Sequence, residues 1–312
     1  MRLFDSHNRH IHKLRLSLLD ACNLRCIYCM PQNPQFLNQN ELLSRQDIKS
    51  LSSILVNLGI DEIRLTGGEP TMRSDFMDIV KDLSLLELKK LAFTTNGLFL
   101  KQHLPKLKKT ECRNINFSLD SLNEKGFFNM TGSRDFQKVL QAILMTKELG
   151  FNVKINTVLM KNMNHHEIKD FVEFSGKYGI EVRFLELMRI GPARNRFEEL
   201  FISADKIIDT LKNISTLMPI QLPVDSTSFN FKLNNKANIG IIASESKPFC
   251  GGCSRLRLSA TGKIRPCLMM NQGFSLKNKS TDEIKKILLK TMALKPVDRI
   301  YEVLQPMNQI GG

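Results

Sequence analysis

The chain has 312 residues, 42% hydrophobic and 24% charged, with 45 Lys and Arg against 31 Asp and Glu and a formal net charge of +14. That balance excludes a disordered or collagen-like chain and leaves ample apolar material for a large core, while no apolar run approaches the roughly 18 residues of a membrane span. The excess of positive charge favours an anionic partner, and the sign alone does not choose between nucleic acid and a phosphorylated small molecule.

Short β-type runs alternate with amphipathic helical runs from residue 14 to residue 187, the pattern of successive βα units on a parallel sheet. The expected strands are 14–19, 62–66, 91–95, 114–119, 152–159 and 181–187. Between them, a helix over 45–58 opens at Ser44 as its N-cap, and another over 136–149 closes at Gly150. Six such units are three quarters of a TIM barrel, a fold whose chemistry sits at the C-terminal ends of the strands. After about residue 190 the rhythm stops, and Gly191, Pro192, Pro219 and Pro223 punctuate a mixed region. The expected fold is therefore α/β, a partial (βα)6 barrel over 1–190 with a C-terminal extension over 191–312.

Six of the seven cysteines fall in two triplets, a poor disulfide framework but a good metal inventory. With no apolar stretch of signal-peptide length in the first ten residues, the expected compartment is the reducing cytoplasm. The leftover Cys112 reads as a small core residue, and His7, His10 and His12 read as solvent-exposed. Directly after the first strand, Cys22, Cys26 and Cys29 stand in Cys-Asn-Leu-Arg-Cys-Ile-Tyr-Cys. Three thiolates at that spacing hold an iron-sulfur cluster and leave one iron without a protein ligand, which a small molecule, S-adenosylmethionine, would complete. Gly67-Gly68-Glu69-Pro70 and Thr94-Thr95-Asn96-Gly97 also follow strands directly, and two glycines at a strand end let a backbone approach a ligand closely. The second triplet, Cys250, Cys253 and Cys267, spans what reads as a small hairpin. The alternative is a zinc ribbon lacking its fourth ligand, and since neither Cys112 nor the first triplet supplies a motif-like fourth cysteine, the reading is another three-ligand 4Fe-4S cluster with an open iron.

On the first triplet, with Tyr28 just before its last cysteine, the chain resembles the radical S-adenosylmethionine superfamily. Together with Gly-Gly-Glu-Pro and the second triplet, it resembles the GTP 3′,8-cyclase family of molybdenum cofactor biosynthesis from about residue 14 to the end. That resemblance implies a cytoplasmic lyase of the radical SAM type with two 4Fe-4S clusters and S-adenosylmethionine as cofactors and GTP as substrate. It implies metal ligation by both triplets, with catalysis depending on Cys22, Cys26, Cys29 and the terminal Gly311 and Gly312. S-adenosylmethionine would be held by Tyr28, Gly68, Glu69, Ser118 and Met188, and GTP by Arg15, Arg64, Thr94, Lys154, Arg255, Leu256 and Arg257. Several cations suit a triphosphate, because arginine presents paired donors to phosphate oxygens. Arg64 and Lys154 lie within strands, where they either enter the barrel or point outward between strand and helix.

The implied partners are an electron donor and, as next pathway enzyme, cyclic pyranopterin monophosphate synthase, with neither nucleic acid nor membrane. The oligomeric state, a homodimer included, stays open. The segment before the first strand lacks the Gly-Arg pair common in the family, and Leu19-Asp20 stands where Thr-Asp is usual. Two other readings keep the same residues: an auxiliary-cluster radical enzyme acting on a peptide, and a zinc-stabilised nucleic-acid binder.

Overall fold

Alternation along each strand decides how the sheet surrounds the site. The computed structural model describes residues 2–300 and Met307. In β1 (Lys13–Ser17), Leu14 and Leu16 are buried among apolar neighbours, whereas Lys13 and Arg15 lie on the other face of the strand. The same period of two runs through β2 (Glu62–Thr66), β3 (Lys90–Thr95), β4 (Asn114–Ser118), β5 (Asn152–Leu159) and β6 (Glu181–Glu186). Ile63, Leu65, Phe93, Ile115, Phe117, Ile155, Val182 and Phe184 all sit in one core. Each buried aliphatic or aromatic side chain of this kind contributes roughly 1.5–3 kcal/mol.

The apolar face is covered by α1 (Arg45–Asn57), α2 (Phe76–Ser84), α3 (Leu104–Leu107), α4 (Glu124–Thr131), α5 (Phe136–Glu148) and α6 (Ile168–Tyr178), which connect the six strands in order. Ser44 caps α1 through a reciprocal capping box with Asp47, and Gly150, at φ +85°, follows the end of α5, so both helix boundaries expected from sequence are met within a residue or two. The six expected strands likewise appear with bounds shifted by at most two residues. Cys112 is fully buried in the core.

Beyond β6 come α7 (Phe197–Leu200), α8 (Ala204–Ile214), β7 (Leu217–Ile220), β8 (Phe229–Leu233), β9 (Asn238–Ile242), β10 (Arg255–Leu258), β11 (Lys263–Arg265), β12 (Phe274–Ser275) and α9 (Thr281–Ala293). These strands extend the same sheet at both edges, in the order β12-β11-β10-β1-β2-β3-β4-β5-β6-β9-β8-β7. Strand β9 joins β6 in parallel and β10 joins β1 in parallel, while β7, β8, β11 and β12 add antiparallel outer edges. The break in βα rhythm near residue 190 thus marks a change in connection, and the extension still supplies parallel strands to the barrel sheet.

The start of β1 carries one correction. His7 is exposed as expected, but His10 and His12 are half-buried, their rings stacked at 4.8 Å. Pairing of β1 with its neighbours brings two carboxylates to His12, whose Nδ1 lies 2.6 Å from Asp61 Oδ1 and Nε2 2.9 Å from Asp225 Oδ2.

Candidate active site

The first cysteine loop leaves the C-terminal end of β1 and turns where Cys29 N and Met30 N both donate to Cys26 O, at 2.9 and 3.0 Å. Cys22, Cys26 and Cys29 are all partly buried. Burial is the main cause raising each thiol, Cys22 to about 11 and Cys29 to about 12. Two donors favour the thiolate of Cys22: Leu24 N at 3.4 Å and Asn96 Nδ2 at 3.8 Å. Asn96 also donates its backbone N–H to Glu69 Oε2 at 2.6 Å, tying the Thr-Thr-Asn-Gly turn to the Gly-Gly-Glu-Pro turn.

The two glycines permit a close approach within the chain itself. Gly68 N donates to Leu19 O and Glu69 N to Ala21 O, so the turn lies against the backbone that leads into the cysteines. A Cβ on Gly68 would stand 2.0 Å from Ala21 O, and one on Gly67 would stand 2.4 Å from Leu19 O. Glu69 is buried, and its carboxylate accepts from Thr71 N, Thr71 Oγ1 and Thr95 Oγ1 as well as Asn96 N. Burial raises Glu69, and its charge is felt at Cys22. On the other flank Tyr28 Oη donates to Asp120 Oδ2 at 2.8 Å, and Val158 N donates to Asp120 Oδ1 at 2.8 Å. Desolvation lifts Asp120 to about 6, and its charge reaches Cys26 and Cys29. Ser118 closes β4 opposite Asn156, and Met188 packs beside Ile190 in the patch that includes Cys267.

The barrel interior is basic. Arg15 pairs in register with Arg64 on one side and Arg257 on the other. Burial, followed by the charges of Arg257, Arg255 and Arg64, depresses Arg15. Arg64 and Arg257 are each brought down to about 10, again chiefly by burial. Arg64 also feels Arg183 on β6, although four strand spacings would separate them by about 19 Å on a flat sheet. The sheet therefore curls until the two guanidinium groups share one lumen, which answers the open question of which way Arg64 points. Lys154 joins the same lumen and pairs with Glu181 at 2.7 Å, while Glu181 also takes Arg183 at 2.5 Å. Thr94, half-buried, lies beside Asn116 in register. Leu256, between Arg255 and Arg257, has its side chain fully buried on the opposite face of the strand.

Sequence reading missed three further lumen cations. Arg183 and Lys90 sit at polar positions of their strands, a period-two signal that was present. Arg265, 6% exposed and paired in register with Arg257, keeps Nε and Nη1 without a partner.

The second triplet sits at the opposite strand end. Cys250 and Cys253 precede β10, and Cys267 follows the antiparallel β11, which returns the chain to the same level. Burial alone would raise Cys253, but the Arg255 and Lys295 charges and their N–H donors bring it down to about 6. Cys250 is raised by burial and by the charges of Cys267 and Cys253. Among the described residues, no three Cys, His, Asp or Glu side chains converge as they would on one ion, whereas the thiols of each triplet feel one another. Gly311 and Gly312 lie outside the described residues.

Residues 16–175 match the model of the Radical SAM superfamily, and residues 180–299 match that of Molybdenum Cofactor Synthesis C. The chain is 43% identical to the GTP 3′,8-cyclase of Synechocystis over 310 residues, 99% of this chain and 95% of that one. It belongs to the GTP 3′,8-cyclase family of radical SAM proteins. Other family members include the enzymes of Aquifex aeolicus, 40% identical over 88% of both chains, and of Thermodesulfovibrio yellowstonii, 38% identical over 99% of both. Among solved structures, Streptococcus suis SuiB bound to S-adenosylmethionine aligns with a TM-score of 0.67 at 18% identity, covering 92% of this chain and 69% of that one. That likeness concerns the fold.

Proposed function

We propose that this chain converts GTP to 3′,8-cyclo-7,8-dihydro-GTP, the first step of molybdenum cofactor biosynthesis. The observation that carries the substrate assignment is the lumen in which burial and then neighbouring guanidinium charges, that of Arg255 among them, hold Arg15, Arg64 and Arg257 down, since so much buried like charge calls for a polyanion. Cys22, Cys26 and Cys29 would hold the first 4Fe-4S cluster, with Tyr28, Gly68, Glu69, Ser118 and Met188 around S-adenosylmethionine. When bound, these groups supply reductive cleavage to methionine and 5′-deoxyadenosine and so remove the 3′ hydrogen of GTP. Cys250, Cys253 and Cys267 would hold a second cluster facing the guanine base.

The chain's own work is positional. Arg15, Arg64, Arg257 and Lys154 bind the triphosphate through charge-assisted bonds, Thr94 and the Leu256 backbone contact the nucleoside, and the closed lumen keeps bulk water from the reacting carbon. On GTP one hydrogen atom leaves C3′, a C3′–C8 bond forms, and an electron and a proton return to the base, so the product has the mass of GTP. Anaerobic incubation with GTP, S-adenosylmethionine and a reductant should give a chromatographically distinct species of that mass with equimolar methionine. Cleavage of S-adenosylmethionine without such a species would overturn the substrate assignment.

Arg257→Ala should weaken GTP binding by about 1.5 to 3 kcal/mol, the range for a hydrogen bond to a charged group, without loss of iron. Arg255→Ala should also disturb iron at the second site, because Arg255 Nη2 lies 3.5 Å from Cys253 Sγ. Calorimetric titration with GTP checks both, and unchanged affinity in the two variants would remove these arginines from the site. For the C-terminal Gly311 and Gly312, the functional reading is a backbone finger entering the lumen. Deleting both should leave melting temperature and iron content unchanged while cyclised product per chain falls about 100-fold, the cost of a misplaced reaction geometry. Near-normal turnover would return them to an ordinary chain end.

A further inference from the structure

Lys295 is 3% exposed, just past the end of α9, and all three donors of its ammonium are engaged. Nζ donates to Arg255 O at 2.7 Å, to Pro266 O at 3.0 Å and to Cys253 Sγ at 3.3 Å. None of these partners is a carboxylate. A buried ammonium is costly without an anionic partner, and the Cys253 sulfur within its reach is the partner that ligation to a cluster would supply. The two carbonyls it grips lie near cysteines that flank different strands, Arg255 two residues beyond Cys253 and Pro266 just before Cys267, so one ammonium fixes the spacing of both arms. Its own carbonyl is held in turn: buried Arg9, paired with Asp5 at 2.6 Å, donates to Lys295 O, Pro296 O and Cys250 O. Three segments distant in sequence thus meet at the second triplet around two buried cations.

We propose that Lys295 is the positioning and charge-compensating residue of the second cluster, donating to the Cys253 sulfur and favouring the reduced state by its positive charge. The inference rests on the reading that Cys250, Cys253 and Cys267 hold a cluster. Each thiolate adds a negative charge and reduction adds another, so a fixed cation beside one sulfur raises the midpoint potential, and N–H donors to ligand sulfurs act in the same direction.

The test uses the full chain with Cys22, Cys26 and Cys29 changed to alanine, so that any iron belongs to the second site. In that background Lys295→Met should lose iron to a chelator about 10- to 100-fold more readily and shift the midpoint to more negative values, while Lys295→Arg should restore much of both. Full iron and an unchanged midpoint in Lys295→Met would overturn the role of Lys295 and leave the cluster assignment standing. No iron in the parent would sink the cluster assignment itself and this inference with it. Should Lys295→Met fail to fold, parent protein grown with 15N-lysine decides: the reduced cluster should show a nitrogen hyperfine coupling from the label, and its absence counts against the proposal.

Discussion

Changing Cys250, Cys253 and Cys267 together to alanine is expected to leave reductive cleavage of S-adenosylmethionine intact while cyclised product disappears. The two triplets are held by separate supports. Cys22 takes its donors from Leu24 and Asn96 at the C-terminal end of the sheet, and Cys253 takes its donors from Arg255 and Lys295 at the other end. Loss of one set of sulfurs therefore does not loosen the other. Iron should fall from about eight to about four per chain. Some stability will be lost as well, because Lys295 would keep its two carbonyl bonds and lose its sulfur partner, a cost of about 1–3 kcal/mol for an unsatisfied buried donor. Iron analysis and 5′-deoxyadenosine formation check the prediction, and retention of about eight irons would show that these cysteines ligate nothing.

The second large effect is expected from Gly68→Ala. Its Cβ would meet backbone on every side, 2.0 Å from Ala21 O, 2.4 Å from Ala21 C and 2.6 Å from Asp20 O. Backbone cannot swing aside as a flexible side chain does, so either the Gly-Gly-Glu-Pro turn or the segment entering Cys22 must shift. Overpacking of this sort typically costs about 1–3 kcal/mol, and here the displacement lands on the residue before the first thiol. The variant should unfold at lower temperature, lose iron from the first site while the second keeps its own, and fail to cleave S-adenosylmethionine. Wild-type melting together with wild-type cleavage would mean that the close approach of these two backbone segments is dispensable.

The contrast between Gly68 and Arg64 marks what could be read in the residues. Two glycines after a strand were legible as a place of close approach, yet the object approached, the chain's own residues 19–21, is set by the pairing of β2 with β1 and cannot be inferred from a local run. Arg64 was legible as a strand residue with two directions open to it. Alternation with buried Ile63 and Leu65 places it on the polar face, but only the curl of the sheet brings Arg183 across from it. The pleat likewise sends the Leu256 side chain to the face opposite Arg255 and Arg257.

The sequence by itself determined the strands and helices of the barrel, the cap at Ser44, the two cysteine triplets and the family, because each rests on periodicity or spacing within a few residues. Tertiary structure alone decided that β9 and β10 complete the parallel sheet at its two edges, that arginines and lysines from seven strands share a lumen with Glu62 and Glu181 among the described residues, and that Lys295 reaches Cys253. Those pairings join residues tens to hundreds of positions apart. Their energies depend on burial and on the charge met across a folded sheet, quantities that a local stretch of chain does not carry.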